Sequence, residues 1–323
     1  MAKMKTSRRR KSNRNQTNIV FLLIFLILAG LFLIYCKSTG KISFEDGQIK
    51  IENPLSTDKN TGSQKSTPAA KDGFIALPDQ LEYPICAGEK HAQDHERRKF
   101  KNYELCYRES YEQAEWSAYK LSKDELKKTT DRTNDFRPDP KITTCSSTLA
   151  DYKGSGYDRG HLTPAADMSF DKSAMSETFY MSNMSPQAPQ FNRGIWQQLE
   201  AQVRTWAKKF GTIYVVSGPI LEKNAKDYAT IGKSKVVIPQ YYYKAVLIPL
   251  YADETDKNSP EDAKSIAALG FILPNNECKG KSFWDFAISI DEIEKRTGID
   301  LYALLEDSAE AAAESSFDIS IWR

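Results

Sequence analysis

Histidine is scarce in this chain, with three in 323 residues, so acid-base chemistry near neutral pH can draw on His91, His95 and His161 alone among imidazoles. No segment repeats at a fixed period and no heptad run occurs, which excludes solenoids and coiled coils. A strong charge of one sign is missing as well: 45 basic against 43 acidic side chains leave a net +2. Residues 1–18 carry Lys3, Lys5, Arg8, Arg9, Arg10, Lys11 and Arg14 and no acid, so the remainder holds 38 basic and 43 acidic side chains, a net −5. A mildly acidic body does not bind phosphates by its global field and needs a local patch or a metal ion for that purpose. This disfavours a sequence-specific DNA-binding module.

One long apolar run is present. Residues 19–36, IVFLLIFLILAGLFLIYC, carry no charge and are just long enough to span a bilayer as a helix. A cleaved signal peptide would have a shorter apolar core and a small-residue cleavage site, so an uncleaved anchor is the better reading. The basic residues precede the span, which leaves the N-terminus cytoplasmic and the rest on the periplasmic or extracellular side. In that oxidising setting Cys86, Cys106, Cys145 and Cys278 are expected to form two disulfides, with three connectivities open, and four buried thiols are the alternative. Around Asp46-Gly47 the alternation in KISFEDGQIKIE signals a short hairpin. From Asn53 to Asp72 a polar Ser, Thr, Asn, Lys and Pro mixture reads as a flexible tether. The expected organisation is therefore a basic segment (1–18), an anchor (19–36), a tether (37–73) and one folded domain (74–323).

That domain reads as α+β. Apolar runs at Thr178–Met181, Thr212–Ser217, Tyr241–Pro249 and Ile266–Leu273 are expected strands. In NRGIWQQLEAQVRTWAKKF, residues Trp196, Leu199, Val203, Trp206 and Phe210 recur at helical spacing and form a core stripe. A later helix is expected over Asp291–Arg296, ending before Gly298, followed by a solvated Ala/Glu-rich helix after Leu301.

The stretch GSGYDRGHLTP places Asp158, Arg159, Gly160 and His161 together behind two glycines that permit a tight backbone path. A near-neutral imidazole can take a proton from water, Asp158 can orient the segment, and the planar guanidinium of Arg159 suits a phosphate oxygen. A four-residue match alone decides nothing. Some thirty residues on, FYMSNMSPQAPQFNRGIWQQLEAQVR supplies Asn183, Asn192, Glu200 and Arg204. Asn192 at a helix start is either an ordinary N-cap or an oxygen ligand for Mg²⁺, which needs few protein ligands. Glu200 lies about 12 Å further along an ideal helix, so it is expected to act through a metal-bound water; an i,i+4 salt bridge with Arg204 is the structural alternative. His91 and His95, four apart in HAQDH, lack Cys or acidic ligands at zinc spacing and read as a solvated surface.

Taken together, RTNDFRPDP, YKGSGYDRGHLTPAADM, TFYMSNMSPQ, FNRGIWQQLE, YVVSGPI and ISIDEIEKRTGID, in this order over about Tyr103–Leu305, resemble the DNA/RNA non-specific endonucleases of the ββα-metal class, in particular the endonuclease G group. The resemblance implies a central, mainly antiparallel sheet flanked by helices. It implies His161 as general base, Arg159 as a phosphate or structural contact, Asn192 as the direct ligand of Mg²⁺ (or Mn²⁺ in its place) and Glu200 as support for the hydrated ion. Asn183 and Arg204 match further active-site positions, and Arg132 matches an arginine near the scissile phosphate, with Arg137 as the neighbouring alternative. The implied reaction is single-metal hydrolysis of DNA and RNA to 5′-phosphate products without base specificity, by a protein that can self-associate as a homodimer. Two rivals stand beside it: a phosphodiesterase for another substrate, and a non-catalytic membrane-tethered nucleic-acid receptor.

Overall fold

The computed structural model describes residues 75–86, 94–251 and 262–323, together with the backbone of two short strands at 42–45 and 48–51. Those two strands pair antiparallel with Glu45 opposite Gln48, the hairpin that the alternation around Asp46-Gly47 signals. They belong to a compact unit, Met1–Ser66, distinct from Thr67–Arg323. The expected anchor at 19–36 falls outside the described residues. Among the described residues no helix is long and apolar enough to cross a membrane.

Nine strands carry the body: β1 (His95–Lys99), β2 (Glu104–Arg108), β3 (Gln113–Ser122), β4 (Asp158–His161), β5 (Met184–Gln187), β6 (Thr212–Pro219), β7 (Tyr241–Leu250), β8 (Ser265–Pro274) and β9 (Ala287–Ile288). Seven of them form one fully antiparallel sheet in the order β9-β8-β7-β6-β3-β2-β1. β4 and β5 form a separate antiparallel pair. The main helices are α1 (Lys172–Glu177), α2 (Gln197–Phe210), α3 (Ile290–Thr297) and α4 (Asp307–Glu314).

The large sheet is covered on both faces, which is why its central strands read as continuous apolar runs and not as alternation. In β6, Ile213 and Val215 pack with Leu199, Val203 and Trp206 of α2. Tyr214 and Val216 face the other way, toward Ile290 and Ile293 of α3 and Ala313 of α4. The stripe along α2 is therefore core, as its spacing predicts, and Gly298 ends α3 in a left-handed conformation.

Four expectations are corrected. Thr178–Met181 is not a strand: Asp171, whose carboxylate accepts from Ala174 N, caps α1, which runs to Glu177. Thr178 closes that helix and bonds Met175 O, so this apolar run is buried by a turn and the strand follows it at β5. Asn192 is not an N-cap. The helical path starts at Pro189, and Asn192 N already donates to Ala188 O at 2.9 Å. The Ala/Glu-rich helix is not wholly solvated, because α4 turns Ala313 and Glu314 into the interior. Finally, one disulfide forms where two were expected. Cys86 and Cys106, with Cα atoms 5.5 Å apart, are bonded, while Cys145 and Cys278 are free thiols.

Trp206 anchors the α2 face. It is fully buried against the rings of Trp322 at 5.0 Å and Trp284 at 5.8 Å, and its Nε1 donates to Trp322 O at 2.7 Å. Trp206→Ala is expected to cost about 3–5 kcal/mol, read as a lowered urea midpoint; a loss below about 1 kcal/mol would show that this face does not hold the domain together.

Candidate active site

Gly154 and Gly156 both have positive φ, +72° and +84°, and turn the chain sharply into β4. The register then sets Asp158 opposite Gln187 and His161 opposite Met184. His161 ends the strand with 9% of its surface exposed. It sits edge-on to Phe179 at 4.9 Å and to Phe136 at 5.8 Å, and those two rings meet at 4.9 Å. Its Nε2 is buried without a hydrogen-bond partner. Burial first, and then the Arg132 and Arg159 guanidiniums, push its pKa down to about 3. The imidazole is therefore neutral at physiological pH, with a free ring nitrogen.

Arg159 lies over the Phe136 ring at 4.1 Å and Arg132 over the Phe179 ring at 4.7 Å. Stacking fixes a guanidinium through its face and leaves edge N–H groups for an anion. Arg137 is engaged elsewhere. It donates to Asp135 at 2.8 Å and to Ser176 O at 3.0 Å, and stacks on Tyr180 at 3.9 Å. Of the two arginines in RTNDFRPDP, Arg132 is thus the one whose charge bears on His161. Beside Arg159 a cavity of about 370 Å³ runs past Leu149, Lys153 and Tyr157.

Asn192 reaches this hairpin from the helix. Its Nδ2 donates to Asp158 Oδ2 at 2.9 Å, and Arg193 clamps the same carboxylate at 2.8 and 2.6 Å. With its amino end on Asp158, the Asn192 side chain presents its Oδ1 as a hard oxygen donor. The backbone here is π-helical over Asn192–Trp196, with Gly194 off helical dihedrals, and α2 follows. Such widened turns recur at functional sites. Phe191 and Trp196 seat this segment on Tyr242 of β7 at 5.3 and 5.9 Å.

Glu200 is on the first turn of α2, near buried Lys244 of β7. Burial pushes the Glu200 carboxyl up and the Lys244 ammonium down, while each one's charge opposes the shift of the other. Lys244 donates to Ser217 Oγ and lies 4.5 Å from the Trp196 ring. Arg204 pairs with Asp167 at 2.7 Å, and Asp167 also accepts from Tyr119 OH at 2.5 Å. Asn183 is buried with its amide committed. Its Oδ1 accepts from Thr163 N at 3.0 Å, and its Nδ2 donates to Thr163 O at 3.0 Å and Thr178 O at 2.9 Å. It braces the segment after His161 and does not face an open site. Arg204 pairs through Nη1 with Asp167, and its side chain remains partly exposed.

Oxygen donors from Asn192 and Glu200 fit a hard divalent cation that keeps most of its waters. Sequence reasoning missed Arg193, Asp167, Lys244 and the aromatic pair Phe136 and Phe179. A lysine inside the apolar run YYYKAVLIPL was the available signal for Lys244, since a lone charge in a central strand needs a buried partner.

The comparisons with known proteins agree with one another. A family model described as DNA/RNA non-specific endonuclease matches residues 85–308. The mitochondrial nuclease EXOG of Mus musculus is 31% identical over 253 residues, 75% of this chain and 65% of the mouse protein. Nuclease C1 of Cunninghamella echinulata var. echinulata is 34% identical over 219 residues, 64% of this chain and 82% of its own. Human mitochondrial endonuclease G is 30% identical, with 61% and 66% covered. One chain of the crystal structure of the EndoG/EndoGI complex superimposes with a TM-score of 0.58 at 27% identity, covering 66% of this chain and 88% of that one. This chain spans about two thirds of the length of the mouse and human relatives.

The buried imidazole has a consequence for stability. Because the folded pKa of His161 lies below the unfolded value, the unfolded chain binds a proton between about pH 6.5 and 3 that the folded chain does not. Stability is lost as pH falls through that window, at up to about 1.4 kcal/mol per pH unit. Between pH 7 and pH 5 the wild type should lose about 2 kcal/mol more than His161→Gln in urea melts; parallel losses in the two proteins would mean that His161 ionises within the fold.

Proposed function

Since the chain belongs to the DNA/RNA non-specific endonuclease family, we propose that it hydrolyses phosphodiester bonds in DNA and RNA through His161. The observation that carries this reading is a neutral imidazole whose Nε2 is buried, free of hydrogen bonds, and influenced by two ring-stacked arginines. Nε2 takes the proton from the attacking water. Arg132 and Arg159 receive the phosphate oxygens on their N–H edges. As the anion neutralises them, the repulsion that weakens His161 is relieved, so the base gains strength when substrate is in place.

Asp158 acts indirectly, by holding Asn192. Mg²⁺, or Mn²⁺ in its place, held by Asn192 Oδ1 and supported through water by Glu200, would supply positive charge to the phosphate and the leaving oxygen. Arg204 and Lys244 keep Glu200 in a positively charged surrounding. Since the named groups address the phosphate and not base edges, base specificity is not expected. The apolar run at 19–36 and its basic flank support a membrane-anchored form with the nuclease domain on the periplasmic or extracellular side.

The test is cleavage of plasmid DNA and of RNA by the full-length chain with Mg²⁺ and with EDTA. Both polymers should be cut in Mg²⁺ alone. His161→Ala should lower kcat about 100- to 10,000-fold with folding and DNA binding retained, and Asn192→Ala should lower the rate while raising the Mg²⁺ needed for half-maximal activity. Undiminished turnover by His161→Ala would remove His161 as the base, and unchanged metal dependence in Asn192→Ala would remove the metal assignment.

A further inference from the structure

His95 does not lie on a solvated surface. It opens β1 with a side chain only 6% exposed, and its Nδ1 meets Glu115 Oε1 of β3 at 3.0 Å; His91 falls outside the described residues. The same ring nitrogen is 3.9 Å from Cys106 Sγ of β2. Cys86 approaches from the segment ahead of β1 and is disulfide-bonded to Cys106. Sequence spacing hid this cluster because its four members come from separate parts of the sheet and its approach. One ligand atom from each of Cys86, His95, Cys106 and Glu115 lies within 4.8 Å of every other.

We propose that these four residues form a second, thiol-dependent metal site, which binds one Zn²⁺ when the Cys86–Cys106 disulfide is reduced and is closed to metal when that bond is intact. Two thiolates, an imidazole and a carboxylate are a borderline-soft donor set of the kind that zinc takes tetrahedrally. With Zn–S bonds of about 2.3 Å the sulfurs of such a site stand roughly 3.8 Å apart. The Cα atoms of Cys86 and Cys106, 5.5 Å apart, accommodate this by side-chain rotation. Neither sulfur can serve as a thiolate ligand while the two are bonded to each other, so disulfide and metal exclude one another.

The surroundings favour the site. His95 Nε2 lies 4.0 Å from Asp94 Oδ2, so a carboxylate charge stands near the imidazole proton when Nδ1 is the ligand. Arg108 spans both acids: its Nε donates to Asp94 Oδ2 at 3.2 Å, and its Nη1 is 3.7 Å from Glu115 Oε2. Ser110 holds Asp94 through N at 2.7 Å and Oγ at 3.0 Å. Two thiolates, Glu115 and Zn²⁺ sum to a single negative charge, Asp94 adds a second, and the Arg108 cation offsets one of the two. Access is direct, because Cys86 and His95 line a cavity of about 460 Å³ whose rim includes the exposed Ile85 and Leu304.

The redox step is thiol-disulfide exchange with a dithiol reductant acting on the same side of the membrane as the domain. The Cys86–Cys106 bond takes up two electrons and two protons and becomes two thiols, while two reductant thiols become a disulfide. Zinc then displaces the two thiol protons, and the imidazole proton takes its place on Nε2.

Cobalt titration of the full-length chain tests this directly, comparing protein reduced by a phosphine under argon with oxidised protein. The reduced chain should bind one Co²⁺ with a thiolate charge-transfer band and tetrahedral visible bands, which Zn²⁺ abolishes stoichiometrically. The oxidised chain should show neither, and cobalt at the oxygen-donor active site gives no thiolate band. The band should vanish in Cys86→Ser/Cys106→Ser and persist in Cys145→Ser/Cys278→Ser. Glu115→Gln should weaken binding by about tenfold or more. Absence of the band from reduced wild type, or its survival in Cys86→Ser/Cys106→Ser, would overturn the proposal. The oxidised and reduced wild-type chains decide it even if a variant fails to fold. None of these readouts depends on nuclease activity.

Discussion

The hydrogen bond from Asn192 to Asp158 joins the two halves of the site. Asp158 opens the strand that ends in His161, and Asn192 sits where the helical path widens before α2. That link adds to the chain connection, since β5 ends at Gln187 and the helical path begins at Pro189. With it, the proposed base and the proposed metal ligand share one rigid frame, and Arg193 keeps the central carboxylate charged and paired. A carboxylate is well suited to this place because it accepts from the amide and the guanidinium together.

The frame rests on the large sheet through aromatic packing and a buried charge network. Tyr242 carries Phe191 and Trp196, and two positions along the same strand Lys244 puts an ammonium into the interior. A lone lysine there would be costly. Ser217, the Trp196 ring and the charges of Glu200 and Asp167 make it tenable. Lys244, Arg204 and Arg132 favour the charged form of the α2 carboxylate, while burial and Asp167 oppose it.

Toward the β1 edge of the sheet, β1, β2 and β3 bring together Cys106, His95 and Glu115. There adjacent strands present side chains that are far apart in sequence, whereas the candidate active site joins a hairpin to a helix.

Much of this was legible in the amino-acid sequence, and the reason is local. The glycines before Asp158, the stripe on α2, the apolar runs of β6, β7 and β8 and the stop at Gly298 depend on backbone freedom or on periodicity within one segment, so they survive as read. The motif DRGH with Asn192 and Glu200 was visible because its residues cluster in two short stretches. What failed depended on partners from elsewhere. Thr178–Met181 had the composition of a strand, but the capped helix before it decided its path. Asn192 had the look of a cap, but Pro189 had already begun the helix. The partners of Asn183 and Arg204, Thr163 and Asp167, were likewise hidden, since no spacing reveals them. His95 looked solvated because Glu115 and Cys106, which it meets, lie on other strands. Sequence alone determined which residues could do chemistry; tertiary structure decided which ones are free to do it, because a polar side chain is spent or available according to the partners that the fold brings to it.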